Sequence, residues 1–191
     1  GDVDGDGTLE LVAADGQLRK YHGSVQAGLD ATLPRACFAS MLEDVDGDGV
    51  LDIGLGSGGS GFSVYFYNGW GAQLKAIPGQ HGGAGATVAP IGFTGPTLLV
   101  GYNALRTNAL PRGVAAFDYL SGAESWYAQV GPTNGNVFSV ADAQGDGALD
   151  VTLRSATVNK GISGSGTTDG DMYLVSVDES GNVNLAQKYA A

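Results

Sequence analysis

The chain has 191 residues, of which 43% are hydrophobic and 8% aromatic, which is enough for one folded domain with a substantial core. It carries 20 acidic residues against nine lysines and arginines, a formal net charge of −11. Nucleic acid is excluded as a partner, because a phosphate backbone requires a basic surface that this sequence lacks. No apolar run approaches the roughly 20 residues that a membrane-spanning helix needs.

Two copies of the sequence Asp-Val-Asp-Gly-Asp-Gly begin at Asp2 and Asp44, and a weakened copy begins at Asp142. Each copy carries a further acid at its ninth position. Eleven of the 20 acids lie in these three segments, and the other nine balance the lysines and arginines. The negative charge is therefore concentrated at three places, which favours local metal chemistry over a diffuse acidic surface.

The spacing within these segments predicts calcium loops. Carboxylates at positions one, three, five and nine are hard oxygen ligands, a backbone carbonyl at position seven adds another, and the glycines let the chain turn around one ion. A solvated acidic turn would need neither the alternate spacing nor the repetition. We predict Ca²⁺ at the first two loops and, more weakly, at the third. The predicted ligands are Asp2, Asp4, Asp6, Thr8 and Glu10 in the first loop, Asp44, Asp46, Asp48, Val50 and Asp52 in the second, and Asp142, Gln144, Asp146, Ala148 and Asp150 in the third.

An EF-hand is excluded as an explanation of these loops. Its twelfth position should be a bidentate glutamate, whereas Ala13 and Leu55 stand there in the first two copies. The flanking residues are also typical of strands.

Short apolar segments around the second loop predict four strands, at residues 37–42, 51–55, 62–67 and 72–77. The last part of the chain repeats this order, at residues 136–141, 149–154, 171–177 and 182–188. Helix is predicted to be nearly absent. The 33 glycines have no collagen period and indicate many tight turns between short strands.

The loops recur with a regular spacing, because 42 residues separate Asp2 from Asp44 and 98, or twice 49, separate Asp44 from Asp142. Near the midpoint, residues 92–100 fit the same pattern with Gly95 in the place of Gly49, but every ligand position has been lost. Periods of 40 to 50 residues with several short strands are typical of propeller blades. We predict an all-β propeller with about four blades of four antiparallel strands, at residues 1–34, 35–82, 83–131 and 132–191.

Residues 138–151, Phe-Ser-Val-Ala-Asp-Ala-Gln-Gly-Asp-Gly-Ala-Leu-Asp-Val, resemble the FG-GAP repeat, also called the VCBS repeat. This is the calcium-binding blade of integrin α-subunit propellers and of many secreted bacterial proteins, and the likeness covers almost the whole chain. The resemblance implies that the ligands come from the loop joining the first two strands of a blade. Gln144 departs from the pattern: its amide oxygen can still bind the ion, but one negative charge is lost, so the third site should be the weakest.

Residues 116–126, Ala-Phe-Asp-Tyr-Leu-Ser-Gly-Ala-Glu-Ser-Trp, are similar to the docking motif of quinoprotein-like blades. The similarity implies that Trp126 is buried between neighbouring blades. Quinone chemistry does not follow from it, because such enzymes need a much longer chain and an assembled quinone site.

Residues suited to catalysis are few. His22 and His81 have no sequence-near partner and are expected at a surface or edge. Cys37 is the only cysteine, so no intrachain disulfide can form, and its apolar setting predicts a buried strand thiol. The aromatic residues could offer a binding face but are more typical of a propeller core; they are Tyr65, Tyr67, Trp70, Tyr102, Tyr119, Trp126 and Tyr127.

These features favour a secreted or cell-surface propeller that calcium stabilises and that serves adhesion, binding or assembly without catalysis, with a protein or glycan ligand. Calcium loops of millimolar-range affinity suit extracellular or periplasmic fluid. The alternative is the propeller segment of a carbohydrate-active enzyme, such as a polysaccharide lyase.

The first unit lacks a strand before its loop, and the chain starts within that loop. We therefore expect an upstream segment, and a larger propeller of six to eight blades or a ring that another chain closes, since an open edge leaves backbone groups unpaired. The competing arrangement is a closed four-blade ring in which residues 182–191 pair with residues 9–13.

Overall fold

The computed structural model of the chain describes residues 1–12, 17–21, 27–33, 39–57, 63–81, 86–104, 113–129, 138–142, 145–147, 150–156 and 172–189. In these ranges all regular structure is β, with fifteen strands and no helix. Accordingly, the described residues contain no helix with the length and hydropathy to span a membrane.

The strands form four antiparallel sheets, in each of which strands that follow one another in the chain are neighbours. Sheet 1 contains β1 (Glu10–Val12), β2 (Gln17–Tyr21) and β3 (Ala27–Thr32). Sheet 2 contains β4 (Ala39–Glu43), β5 (Asp52–Gly56), β6 (Ser63–Tyr67) and β7 (Gln73–Pro78). Sheet 3 contains β8 (Ala86–Thr94), β9 (Thr97–Ala104), β10 (Gly113–Asp118) and β11 (Glu124–Gln129). Sheet 4 contains β12 (Phe138–Ala141), β13 (Asp150–Ala156), β14 (Met172–Val177) and β15 (Val183–Tyr189).

The predicted strands of the second and last units are confirmed, with ends that differ from the prediction by at most two residues. The inner strands β5 and β10 are buried almost throughout, because both faces of each strand are covered. A continuous apolar run of this length is what such a strand requires. The predicted blade boundaries remain a prediction, because residues 34–38, 82–85 and 130–137 lie outside the described residues.

Three separate hydrophobic clusters connect the successive sheets among the described residues. Leu33 and Val3 meet Ile53 between sheets 1 and 2. Phe66 of sheet 2 meets Phe117 of sheet 3. The core between sheets 3 and 4 is built from Leu99, Val114, Ala116, Ala128, Val151, Val175 and Val177. The sheets therefore follow one another in space in the same order as in the chain.

The backbones of sheets 2 and 3 approach closely at Gly56. A Cβ atom at this position would lie 2.0 Å from the carbonyl oxygen of Val88, so no larger residue fits. Beside it, Val88 donates its backbone amide to the carbonyl oxygen of Ser57, with 2.9 Å between N and O. A glycine is needed here because the two backbones touch.

The two ends of the series do not pair with each other in the part of the chain that the structure describes. There β1 pairs with β2, and β15 pairs with β14. The closed ring in which residues 182–191 pair with residues 9–13 is not observed among these strands.

Candidate metal loops and the turns beside them

The second and third acidic loops join the first and second strands of their sheets, and the first loop directly precedes β1. The residue before the second loop, Glu43, pairs with the ninth loop residue, Asp52, and Ala141 pairs with Asp150 in the same way. In the first loop, Glu10 donates its backbone amide to the carbonyl oxygen of Gly1, with 2.7 Å between N and O. The three loops therefore occupy equivalent places, those that the FG-GAP resemblance implies.

The first carboxylate of each loop organises the backbone of that loop. In the second loop, Asp44 accepts hydrogen bonds from the amides of Gly47, Asp48 and Gly49, at 2.8, 3.1 and 2.9 Å. Gly47 and Gly49 have φ angles of 79° and 88°, a left-handed conformation that favours glycine. The motif thus needs both an acid at position one and glycines at positions four and six.

The same arrangement recurs in the other two loops. Asp2 accepts the amides of Gly5 and Gly7 at 2.8 and 2.9 Å. Asp142 accepts the amides of Gly145, Asp146 and Gly147 at 2.6, 3.1 and 2.9 Å. The glycines of both loops also have φ angles between 75° and 89°. The described parts of the three loops therefore share the hydrogen bonds to the first carboxylate and the left-handed glycines.

Alternate side chains converge in the first two loops. Each of the groups Asp2, Asp4, Asp6 and Asp44, Asp46, Asp48 brings three carboxylate oxygens within 4.8 Å of one another. Asp6, Asp46 and Asp48 are exposed to solvent. Three like charges so close together repel one another, and a bound divalent cation would offset that repulsion.

The acid at position nine differs from the others in being buried. Glu10, Asp52 and Asp150 are only 5%, 3% and 1% exposed. Glu10 and Asp52 accept the amide of the residue at loop position two, at 2.8 and 3.1 Å, and neither belongs to the close groups of three carboxylates. Burial, together with the negative charges of the loop and against the hydrogen bond from Val45, raises the pKa of Asp52 to about 6.

The ligand set of the third loop is only partly described. The structure describes Asp142, Asp146 and Asp150, whereas Gln144 and Ala148 lie outside the described residues. The weaker third site therefore stays a prediction. In sheet 3, Gly95 and Pro96 form a two-residue turn between β8 and β9, with Gly95 at a φ of 57°, where the other sheets have an acidic loop.

The turn between the third and fourth strands is also repeated, which was not predicted from the sequence. Asn68 accepts the amides of Trp70 and Ala72 through Oδ1, at 3.1 and 2.9 Å. Asp178 accepts the amides of Ser180 and Asn182 in the same manner, at 2.9 and 2.7 Å. The corresponding residue of sheet 3 is Asp118, whose Oδ1 accepts the amide of Ser121 at 2.6 Å. An Asn or Asp followed three or four residues later by glycine (Gly71, Gly122 and Gly181, all at positive φ) was the available signal.

Each of these turns lies beside the acidic loop of the preceding sheet or, where that sheet is sheet 3, beside the turn at Gly95 and Pro96 that replaces the loop. A Cβ atom on Gly69 would lie 1.8 Å from the carbonyl oxygen of Val3, so the turn of sheet 2 touches the first acidic loop directly. Tyr119 and Leu120 of sheet 3 line a groove of about 220 Å³ with Asp44 of the second loop. A second groove, of about 190 Å³, lies between sheets 3 and 4 and is lined by Thr94, Thr97, Leu99, Ser125, Trp126, Val151, Asp178 and Glu179.

Trp126 packs between sheets 3 and 4, but it is half-buried and not fully buried. It contacts the core between these sheets. Its indole nitrogen donates a hydrogen bond to the carbonyl oxygen of Glu179, 2.8 Å away, and its ring covers Gly181, where a Cβ atom would come within 2.9 Å. The expected contact between adjacent sheets is therefore present, and the side chain is only partly buried there.

His81 has a structural environment of its own. Its Nε2 lies 2.9 Å from Glu124 Oε1, and its ring stacks on Tyr127 with centroids 3.7 Å apart. Tyr102 meets both rings edge-on. Burial raises the pKa of Tyr102 to about 12 and that of Tyr127 further, which keeps both hydroxyls neutral. These contacts join sheets 2 and 3; His22 and Cys37 lie outside the described residues.

The aromatic residues divide between core and surface. Tyr65, Tyr67 and Tyr102 are buried, and Tyr119, Trp126 and Tyr127 are half-buried. Trp70 is different, because 71% of it is exposed. The expectation that most of these aromatic residues pack in the core agrees with these positions.

Comparison with known proteins rests on one solved structure, the propeller of Dos1. It is similar to the chain with a TM-score of 0.53, over 95% of this chain and 44% of that one, at 12% sequence identity. The fold is that of a β-propeller. The four sheets are thus propeller blades, and the chain spans less than half the length of the Dos1 structure. No family model matches the chain, and no curated protein does. The likeness at this identity shows the fold alone, and the FG-GAP assignment stays a prediction.

Proposed function

We propose that this chain is a calcium-stabilised propeller segment that acts outside the cell as a non-enzymatic binding or assembly module. The observation that carries the proposal is the convergence of three carboxylates, twice, in loops whose glycines share a left-handed conformation. Two such loops at equivalent places in successive blades indicate a shared role. We propose that this role is calcium binding.

The residues present fit a calcium ion. The donors are carboxylate oxygens gathered within 4.8 Å, and the backbone carbonyls of Thr8 and Val50 at position seven would add further hard oxygen ligands. Nitrogen and sulfur donors, which transition metals prefer, are absent from these two loops. When bound, the ion supplies positive charge that offsets the repulsion between the aspartates.

The location outside the cell follows from the affinity that such sites have. Loops of this kind bind calcium in a range that extends to about millimolar, which suits extracellular or periplasmic fluid. The blade edges and the grooves between blades would then offer surfaces for a protein or glycan ligand. The total number of blades, six to eight, belongs to the same proposal, as does closure by further blades or another chain.

Calorimetric titration with calcium after chelator treatment tests the metal sites. We expect two binding events of near-equal strength and a weaker third. Asp46→Ala should remove one of the strong events, and Gly92→Ala should change none, because a Cβ atom there meets only Val140, at 3.8 Å. A wild-type chain that takes up no calcium would refute the metal assignment.

The non-enzymatic role needs a separate assay. The purified chain is incubated with acidic polysaccharides, and in parallel with arrays of glycans and matrix proteins. Binding without change of the polymer supports the proposal. Cleavage of a polysaccharide by the chain would contradict it and would favour the carbohydrate-active alternative.

A further inference from the structure

The residue at the tip of the turn between the third and fourth strands differs from blade to blade. The difference correlates with whether the loop that faces the turn is acidic. The residue two positions after Asn68 is Trp70, and the residue two positions after Asp118 is Leu120. They are 71% and 77% exposed. Trp70 belongs to the turn that touches the first acidic loop, and Leu120 to the turn beside the second.

The fourth blade lacks both features. Its turn carries Ser180 at the tip, and that turn faces the β8–β9 hairpin, where Gly95 and Pro96 replace the acidic loop. A large exposed apolar side chain therefore occurs beside each of the two acidic loops that have a turn facing them, and a small polar one occurs where the loop is lost. Structural packing does not explain the pattern, because all three tips are exposed.

Both tips are held in fixed positions. Asn68 holds the Trp70 turn through two backbone amides, and Gly69 fixes it against Val3. The Leu120 turn is held by Asp118 and by Lys75, whose ammonium group donates to the carbonyl oxygen of Leu120. Exposed apolar side chains on rigid turns lose little entropy on binding, which favours their use as anchors.

The tips and the acidic loops point to the same end of the propeller. In an antiparallel meander, the connection between strands one and two and the connection between strands three and four lie at one end of the sheet. The first two loops are also close to each other, since a Cβ atom on Gly5 would lie 3.3 Å from a side-chain carbon of Val50. This end therefore combines two acidic loops with two protruding apolar residues.

We propose that this end of the propeller binds a membrane surface rich in anionic phospholipid, in a calcium-dependent manner. The proposal rests on the calcium sites proposed above. Calcium held by the exposed carboxylates would bridge them to phosphate and carboxylate oxygens of the lipid heads, whereas the calcium-free loops repel these groups. Trp70 and Leu120 then enter the boundary between head groups and acyl chains, where tryptophan and leucine are favoured.

A lipid surface fits the observations better than a glycan. Trp70 alone could stack on a sugar ring, but Leu120 offers no such face. Both residues protrude, which suits insertion into a soft surface.

Vesicle sedimentation tests the proposal, with vesicles of phosphatidylcholine mixed with phosphatidylserine and vesicles of phosphatidylcholine alone. We expect the wild-type chain to sediment only with the mixed vesicles and only when calcium is present. Trp70→Ala and Leu120→Ala should each weaken the partition by about tenfold, the factor expected when one apolar anchor is removed. The matched control is Ser180→Ala, which should leave the partition unchanged.

Fluorescence reports on the insertion itself. Trp70 and Trp126 are the only tryptophans, so the Trp126→Phe variant isolates the signal of Trp70. With calcium and mixed vesicles its emission should shift to shorter wavelength as the indole leaves water. An unshifted spectrum in a sample that has sedimented with the vesicles would contradict the assigned orientation.

The two proposals fail in distinguishable ways. Calcium binding by calorimetry without vesicle binding, or with vesicle binding that Trp70→Ala and Leu120→Ala leave unchanged, would overturn the membrane proposal and leave the metal sites standing. Absence of calcium binding would overturn both. Trp70-dependent capture of an acidic polysaccharide in place of the vesicles would replace the lipid by a glycan and overturn the inference.

Discussion

Val3 donates its backbone amide to Glu10 Oε2, 2.8 Å away, while its side chain, 1% exposed, lies in the core between the first two blades. The second position of the acidic loop is thus a core residue, and the ninth holds that residue in place. Any ion that orders the loop therefore acts on the packing between blades.

Removal of calcium should lower the melting temperature. An ion that binds only the folded chain stabilises it by mass action, by about 2.7 kcal/mol for each site at a hundredfold excess over the dissociation constant. Circular dichroism melts with calcium and with a chelator measure the difference. The double variant with Asp4→Ala and Asp46→Ala should lose most of the calcium-induced shift in melting temperature. A shift retained in full would contradict the assignment of this stabilisation to the two loops.

Asp52→Asn should separate calcium binding from stability. The carboxylate is buried, which disfavours its charge, whereas asparagine keeps an oxygen for the amide of Val45. We expect the melting temperature of the calcium-free chain to be unchanged or higher and the calcium-induced shift to be smaller. Glu43→Gln, at an exposed acid that pairs with Asp52, is the control and should alter neither. A large loss of calcium-free stability in Asp52→Asn would refute this account.

Structural features that depend only on residues close together in the sequence were predictable. Alternate aspartates with glycines at fixed positions specify the loop, because both the hydrogen bonds to Asp44 and the positive φ angles of Gly47 and Gly49 are local. The strands followed from apolar runs between the turns. The contact of the first two acidic loops with the turn of the next blade was not predictable, because the contact between Gly69 and Val3 depends on how closely two sheets stack. The partial exposure of Trp126 depends on that stacking in the same way.

Gly69→Ala should disturb the junction between the first loop and the second blade. The added methyl group would lie 1.8 Å from the carbonyl oxygen of Val3, so the backbone must shift. We expect a loss of about 1–3 kcal/mol in the free energy of unfolding, as for overpacked sites, and weaker calcium binding at the first loop only. Urea unfolding and calorimetry measure the two effects.

The control for Gly69→Ala is Gly92→Ala, where a methyl group has room. Its unfolding free energy should stay within about 0.5 kcal/mol of the wild type, as for substitutions away from special sites. If the two variants were equally stable, the close contact at Val3 would be wrong.

Trp126→Ala should destabilise the chain by about 2–3 kcal/mol, less than the 3–5 kcal/mol typical of a fully buried tryptophan, because the ring is only half-buried. Trp126→Phe keeps an aromatic ring in the groove and loses chiefly the hydrogen bond to Glu179, so a loss of about 1 kcal/mol is expected. Trp70→Ala, at the exposed tryptophan, should change the unfolding free energy by less than about 0.5 kcal/mol. Urea denaturation followed by far-ultraviolet circular dichroism measures all three without relying on tryptophan fluorescence. Equal losses for the alanine variants of Trp70 and Trp126 would show that Trp126 does not join the third and fourth blades.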